Sequence, residues 1–396
     1  MAKRRKIGLD DLPKWLRNKK TPHKRKYLSG ERILPPPITG KEKVTELLKK
    51  SFLAFNSARL KEGCRLFTEK MLKSNVTMGI SLSGALTPAG IGASCIVPLM
   101  KAGFVDWIVT TGANMYHDLH FAFNKPVHVG TPNVSDADLR KNEVVRIYDV
   151  FLDYKHSLLG TDKTLQRIIL QKEFRKEMGS AEFHYKIGKY AAMMEEENGL
   201  KDVSILAAGF RYGVPIYSSS PGDSSIGMDI AALELDGIKL RINPSIDVNE
   251  TASIVLNAKK RKGKSGVIIV GGGSPKNFVL QTQPHIQEVL MLPDVGHDYF
   301  LQFTDARPDT GGLSGATPRE AVSWGKVNPK KLPDAVVCYT DSTIALPILA
   351  HYSLANHKKR KLKRLYQSRQ EMMEQLKKTY FKSTSRIDIN KKWEIR

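Results

Sequence analysis

The sequence predicts an α/β protein built on a parallel sheet, and three observations carry that expectation. Apolar segments ending in small, hydroxylated or acidic residues recur along the chain: VTMGISLSG (76–84), FVDWIVTTG (104–112), GVIIVGGGS (266–274), DYFLQFTDAR (298–307) and DAVVCYTDS (334–342). A helix-length segment, Pro88 to Ala102, separates the first two, which makes a βαβ unit with parallel strands and a right-handed crossover. The chain has 396 residues, of which 41% are hydrophobic and 26% charged, enough to bury a core of this kind.

In chain order, residues 1–40 read as a basic arm ending at ILPPPITG, where three prolines force an extended course. Val44, Leu47, Leu48, Phe52 and Phe55 recur at near-helical spacing, so 41–73 is expected to form one or two amphipathic helices. The first βαβ unit follows. Residues 140–200 are polar and expected to be helix-rich. The last three strands come next, then one helix from Ala345 to Tyr380 and a basic tail. The expected organisation is one catalytic domain over 41–356, flanked by the arm and by a basic C-terminal helix and tail over 357–396. There is no internal repeat.

Composition excludes several classes. No apolar run reaches the roughly 18 residues needed to span a bilayer, and MAKRRKIGLDD has no apolar stretch after its basic start. Cys64, Cys95 and Cys338 are odd in number and far apart, which suits free thiols in a reducing cytoplasm rather than disulfides or zinc. The histidines lack metal-ligand spacing. The net charge of +23 is concentrated at the ends: residues 1–26 hold 11 Lys/Arg against 2 Asp, and 357–396 hold 14 against 4 acidic residues. Excess charge on terminal arms is usually solvated, so nucleic acid is not expected as the main partner.

The clusters that end the strands suggest one large polar crevice, because ligands of open α/β sheets bind outside the carboxyl ends of the strands. Ser83 and Thr87, with Thr110, Thr111 and Gly112, suit either a pyrophosphate and ribose or helix caps and turns. The triplet Gly271–Gly273 lacks the dinucleotide fingerprint and suits a tight turn or a cofactor loop. Asp341 follows its strand closely, as a ribose partner would. Asp118, Asp223, Asp229, Asp305, Asp309 and Glu320 are further acids near strand ends, each a cap or surface charge if alone, and a cation site if clustered. His117 is a candidate general base or a structural histidine. In EAVSWGK (320–326), an extended backbone would put Trp324 and Lys326 on one side. Lys326 is then either a desolvated nucleophilic amine or a lysine lying over a surface indole.

GATPREAVSWGKV (315–327), VIIVGGGSPKN (267–277), VDWIVTTGA (105–113), PGDSSIGMD (221–229) and YTDST (339–343) together resemble the deoxyhypusine synthase family over roughly residues 45–355, with EAVSWGK the most specific part. The resemblance implies a Rossmann-like parallel sheet with helices on both faces. It implies a homotetramer with sites between paired subunits and transfer of an aminobutyl group from spermidine to an acceptor amine. NAD is the implied cofactor and a lysine imine the implied carrier. Carried over by position, Lys326 is the imine lysine, Trp324 the pocket wall and Glu320 the partner of a substrate ammonium. The implied NAD contacts are Ser83 to Thr87, Thr110 to Gly112, Asp223, Asp305, Ala306, Asp341 and Ser342.

Departures from the family pattern gather where substrate is read. Tyr116 and His117 replace two glutamates, Asn277 replaces a histidine, and Met228 replaces an aspartate with Asp229 adjoining. Thr310 and Leu313 replace two more aspartates, with Asp309 one place away; Asp305 stands where a threonine is usual. Each lost carboxylate removes a charge-assisted contact of roughly 1.5–3 kcal/mol. The pattern resembles the deoxyhypusine synthase-like branch. The acceptor is then a protein lysine or a free diamine, the latter giving a homospermidine-type product. An amine dehydrogenase that releases NADH, and a noncatalytic NAD-binding scaffold that meets acidic partners through its basic ends, are the other readings.

Overall fold

The computed structural model describes Gly30 and residues 32–383; most of the expected basic arm and the tail beyond Ser383 lie outside the described residues. Eleven strands are described. Six form one parallel sheet: β1 (Val76–Leu82), β2 (Trp107–Thr110), β7 (Ile216–Ser218), β9 (Lys264–Val270), β10 (Tyr299–Thr304) and β11 (Ala335–Tyr339). Their spatial order is β11-β10-β9-β1-β2-β7. The first three strands thus run outward from β1 to one edge and the last three outward from β9 to the other. This is the doubly wound order, with its switch point between β1 and β9.

Alternation along each strand supplies both faces. Met78, Ile80, Leu82, Ile108, Ile268, Val270, Leu301 and Phe303 point into one core. It is covered by α1 (Val44–Ser51), α2 (Phe55–Leu66), α3 (Gly112–Ala122), α4 (Gly160–Ile169), α5 (Ser180–Glu197), α6 (Ile205–Tyr212) and, after α7 to α10 below, α11 (Ser342–Asn356). Trp107, Val109, Val267, Ile269 and Phe300 point to the opposite face, beneath α8 (Pro244–Ala258), α9 (Gly273–Pro284) and α12 (Leu365–Ser383). The remaining named helices are α7 (Ser225–Leu235) and α10 (Pro318–Ser323). On that face β1 presents Thr77, Gly79 and Ser81. A Cβ at Gly79 would lie 2.5 Å from the Trp107 ring, so the indole of β2 fills the space that β1 leaves open.

The structure differs from expectation in four elements. Within 140–200, Val144–Ile147 (β4) and Val150–Asp153 (β5) form an antiparallel sheet with Val127–Val129 (β3); the charged residues around these short strands conceal their alternation. Strand β7 was not expected, since three residues after a proline carry little periodicity. The segment Pro88–Ala102 is helical as expected but not uniformly so: a wide π-helical stretch, Gly92–Ile96, leads into the regular α-helix Val97–Lys101. Finally, the helix expected over 345–380 is two helices, α11 and α12, separated by residues 357–364.

That separating segment crosses the amino ends of β1 and β2. The Asp106 carboxylate accepts from the Met78 amide at 2.7 Å and from the Arg360 guanidinium at 3.2 Å, and its Oδ2 lies 3.6 Å from Lys363 Nζ. Arg360 and Lys363 also donate to the Val76 carbonyl at 2.9 and 2.6 Å. Farther on, Arg369 pairs with Glu250 at 3.2 Å and lies over the Tyr366 ring. Part of the basic C-terminal excess, expected in solvent, therefore braces the sheet. Removing one partner of a buried ionic cluster leaves the others uncompensated. Asp106→Ala is expected to destabilise the protein by about 3–5 kcal/mol, read as a lowered denaturant midpoint.

Candidate active site

The segment after β10 carries the lysine that the sequence singles out. Thr317 caps α10 by accepting from the Glu320 amide. Trp324 ends the helix and Gly325 follows with φ +63°, the left-handed conformation that glycine adopts without strain. The Lys326 amide donates to the Ala321 carbonyl at 2.9 Å and the Gly325 amide to the Val322 carbonyl at 3.0 Å. These two bonds are a Schellman closure. WGK is therefore a helix stop, not the extended segment that alternation assumed, and the turn itself brings indole and amine together. A Cβ at Gly325 would meet Gln287 Oε1 at 2.7 Å, and Gln287 donates to the Gly325 carbonyl at 2.9 Å.

Beyond the turn, the Lys326 carbonyl accepts from the His297 amide and the His297 carbonyl from the Asn328 amide, both at 3.0 Å. The His297 ring is fully buried, 2.8 Å from Ser265 Oγ. The backbone of Lys326 is thus fastened to the strand side of the sheet while its side chain enters a cavity of about 300 Å³. Glu320, Trp324, Asn277, Leu313 and Phe300 share its lining. Lys326 Nζ donates to Asn277 Oδ1 at 3.3 Å and lies 5.4 Å from the centre of the Trp324 ring. Trp324 is 57% exposed, so the indole roofs the amine and keeps an edge in solvent. Burial lowers the Lys326 pKa, opposed by the carboxylates of Glu320 and Glu288.

A second cavity of about 230 Å³ opens at the switch point. Ser83, Asp305, Asp341 and Ser342 line it, together with Gly84, Gly271 and Thr304. Ser83 Oγ donates to the Gly272 carbonyl, tying the end of β1 to the end of β9. Gly84 and Gly273 have φ of +65° and +60° with no atom near the position of a Cβ, and Gly271 has φ +77°. Such a cradle admits backbone close to a phosphate, so the residues present fit a dinucleotide. Asp341 caps α11 through the Thr343 amide at 2.6 Å, and the Ala306 amide donates to Thr304 Oγ1 at 3.1 Å.

The other expected contacts are elsewhere. Thr87 Oγ1 is buried and donates to the Asn114 carbonyl at 2.8 Å, while Thr111 caps α3 and donates to the Gly84 carbonyl at 2.6 Å. Thr110 Oγ1 is buried without a partner at the end of β2. Gly112 lies so close to Ser224 that a Cβ would be 2.2 Å from its hydroxyl; Asp223 beside it is exposed. Asp309 is exposed and pairs with Arg307. Asp118 is structural: its carboxylate accepts from Ser204 Oγ and the amides of Ile205 and Leu206, capping α6.

Tyr116, His117 and Asp229 form a third cluster between α3, α4 and α7, and none of them lines the Lys326 cavity. Tyr116 donates to Asp162 at 2.5 Å, and Gln166 donates to Asp229 at 2.7 Å. His117 Nδ1 is 3.1 Å from His120 Nε2, whose other nitrogen is 2.8 Å from Thr161 Oγ1. Burial lowers His117 to about 4 and raises Asp229 to about 6. Sequence reasoning missed Lys276, Gln287, His297 and Ser314. One available signal was the placement of Lys276 in the opening turn of a helix, where a cation opposes the helix dipole.

Burial holds the His297 pKa down to about 3. Its depressed value means that its contribution to stability is complete above about pH 6.5 and is lost as pH falls toward 3. Between pH 7 and pH 5 this amounts to about 2 kcal/mol. His297→Gln is expected to flatten that part of the stability profile in denaturant titrations at the two pH values; an unchanged slope would contradict the assignment.

A family model described as deoxyhypusine synthase matches residues 44–353. A deoxyhypusine synthase-like protein of Nostoc punctiforme is 53% identical over 351 residues, 89% of this chain and 90% of that protein. Another, from Thermosynechococcus vestitus, is 55% identical over 354 residues, 89% and 88% of the two chains. A crystal structure of an Entamoeba histolytica protein assigned as a deoxyhypusine synthase shares the fold, with TM-score 0.52 and 13% identity over 83% of this chain and 98% of that one. The chain belongs to the deoxyhypusine synthase family, among relatives that carry the deoxyhypusine synthase-like name.

Proposed function

We propose that this chain transfers an aminobutyl group from a polyamine such as spermidine to an acceptor amine, with Lys326 as covalent carrier and NAD in the crevice between β1 and β9. The observation that carries this reading is a half-buried amine whose charged form burial disfavours, under an indole and near a carboxylate, in a doubly wound protein of this family. When bound, NAD takes a hydride from the donor's amine carbon and returns it to the final product imine.

Neutral Lys326 Nζ adds to the imine carbon of the oxidised donor. A proton moves to the leaving nitrogen, the donor's remaining amine departs, and the four-carbon piece is held as a Lys326 imine. The acceptor amine then adds to the same carbon and Lys326 is released; neither exchange changes oxidation state. Asn277 Oδ1 accepts from Lys326 and orients its lone pair, Glu320 pairs with the ammonium of the carried piece, and Trp324 supplies an apolar wall with a cation–π face. His117, which burial holds neutral, is the proposed proton acceptor when supplied to this cavity by a paired subunit.

Tyr116, His117 and Asp229 lie apart from the Lys326 cavity within one chain, which suits a homotetramer with sites between paired subunits. The neutral Tyr116 and His117 suit a changed donor or acceptor. A free diamine acceptor and a protein lysine are both compatible with this shell.

Incubation with NAD and separate amines (spermidine, putrescine, agmatine), followed by borohydride and peptide mass analysis, is expected to find an aminoalkyl adduct on Lys326 that Lys326→Ala lacks. Its yield is expected to rise with pH as the amine loses its proton. NAD binding without an adduct from any amine would sink the proposal.

A further inference from the structure

Lys276 lies one residue before Asn277 and lines the same cavity as Lys326. The residue is 2% exposed, and its Nζ donates to the carbonyls of Ala316 at 2.7 Å and Ser314 at 3.5 Å. Both acceptors are neutral, and the opening turn of α9 is the positive end of its helix. A buried ammonium costs free energy unless compensated, and neither acceptor of Lys276 carries a compensating charge. Burial lowers Lys276 to about 8; the Glu320 carboxylate opposes that shift and the Lys326 charge adds to it.

We propose that Lys276 is a positioning residue acting through Lys326: anchored on Ala316 and Ser314, it holds a second cation in the cavity and thereby favours the neutral, imine-forming state of Lys326. The inference rests on the proposed role of Lys326. The coupling of two like charges is reciprocal, so whatever Lys326 does to the protonation of Lys276, Lys276 does equally to that of Lys326. Glu320 on α10 and Glu288 on the turn His285–Val289 are the carboxylates that face Lys326, and Glu320 faces Lys276 as well. Lys276 is charged below about pH 8, so its influence is full below that pH and fades above it.

The pair can be tested without cofactor or substrate, by competitive acetylation with acetic anhydride from pH 6 to 10 and peptide mass analysis of both lysines. Lys276→Gln keeps a donor for the Ala316 carbonyl but no charge. It is expected to lower Lys326 acetylation at pH 7, with the difference fading above pH 8. Lys276→Arg, which keeps the charge, is expected to retain the wild-type profile. If Lys276→Gln fails to fold, Lys326→Gln supplies the reciprocal measurement: Lys276 acetylation at pH 7 must fall by a similar factor. An unmoved Lys326 profile in folded Lys276→Gln, or an unmoved Lys276 profile in Lys326→Gln, overturns the proposal. Borohydride trapping of Lys326 with NAD and an amine tests its imine role separately, so the two failures are distinguishable.

Discussion

The contact between Gly272 and Ser314 is the constraint on which both cavities depend. A Cβ at Gly272 would lie 2.2 Å from Ser314 Cα, so only glycine lets the loop after β10 settle on the turn after β9. Ser314 then becomes a hub. Its hydroxyl accepts from the Gly273 amide at 3.0 Å, and its carbonyl accepts from Gln302 Nε2 at 2.8 Å and from Thr304 Oγ1 at 3.3 Å. The turn that lines the crevice at the switch point and the loop that leads to Glu320, Trp324 and Lys326 are therefore one packed unit. A glycine triplet ordinarily signals freedom; here its middle member signals an absence of space.

Much of the fold was legible because its central strands are long, apolar and bounded by small residues. Strands β1, β9, β10 and β11 announce themselves, and their polar ends foretell the crevice. The lysine cavity was legible only in part. EAVSWGK names the amine, but the Schellman turn that sets its direction depends on bonds to Ala321 and Val322 that spacing does not display. Lys276, Gln287 and His297 belong to the site through burial and backbone pairing, which a single sequence does not reveal. Strand β7 and the β3–β5–β4 sheet were hidden by brevity, since two or three alternations do not rise above chance.

The distribution of the expected residues is itself informative. Lys326 with Glu320, Trp324 and Asn277 forms a compact chemical centre, Ser83 with Asp305, Asp341 and Ser342 a separate crevice, and Tyr116, His117 and Asp229 lie on other helices, bonded to Asp162, His120 and Gln166 respectively. The first two are joined through Ser314. The third is built from neutral rings and a carboxylate that burial pushes toward protonation, chemistry that attracts a polyamine less strongly than paired acids would.

The bond from Ser83 to Gly272 joins residues 189 positions apart, and it sits where the two halves of the sheet meet. Strand β1 has β2 as its early neighbour, but its other edge stays open until β9 has left the ribosome. Parallel pairing at such separation carries a large loop-closure cost and is intrinsically slow. The nascent chain therefore carries an unpaired edge of a largely apolar strand while residues 83–263 are being added. Closure of the centre of the sheet is a late event, and a demand for chaperone protection during translation follows from strand order.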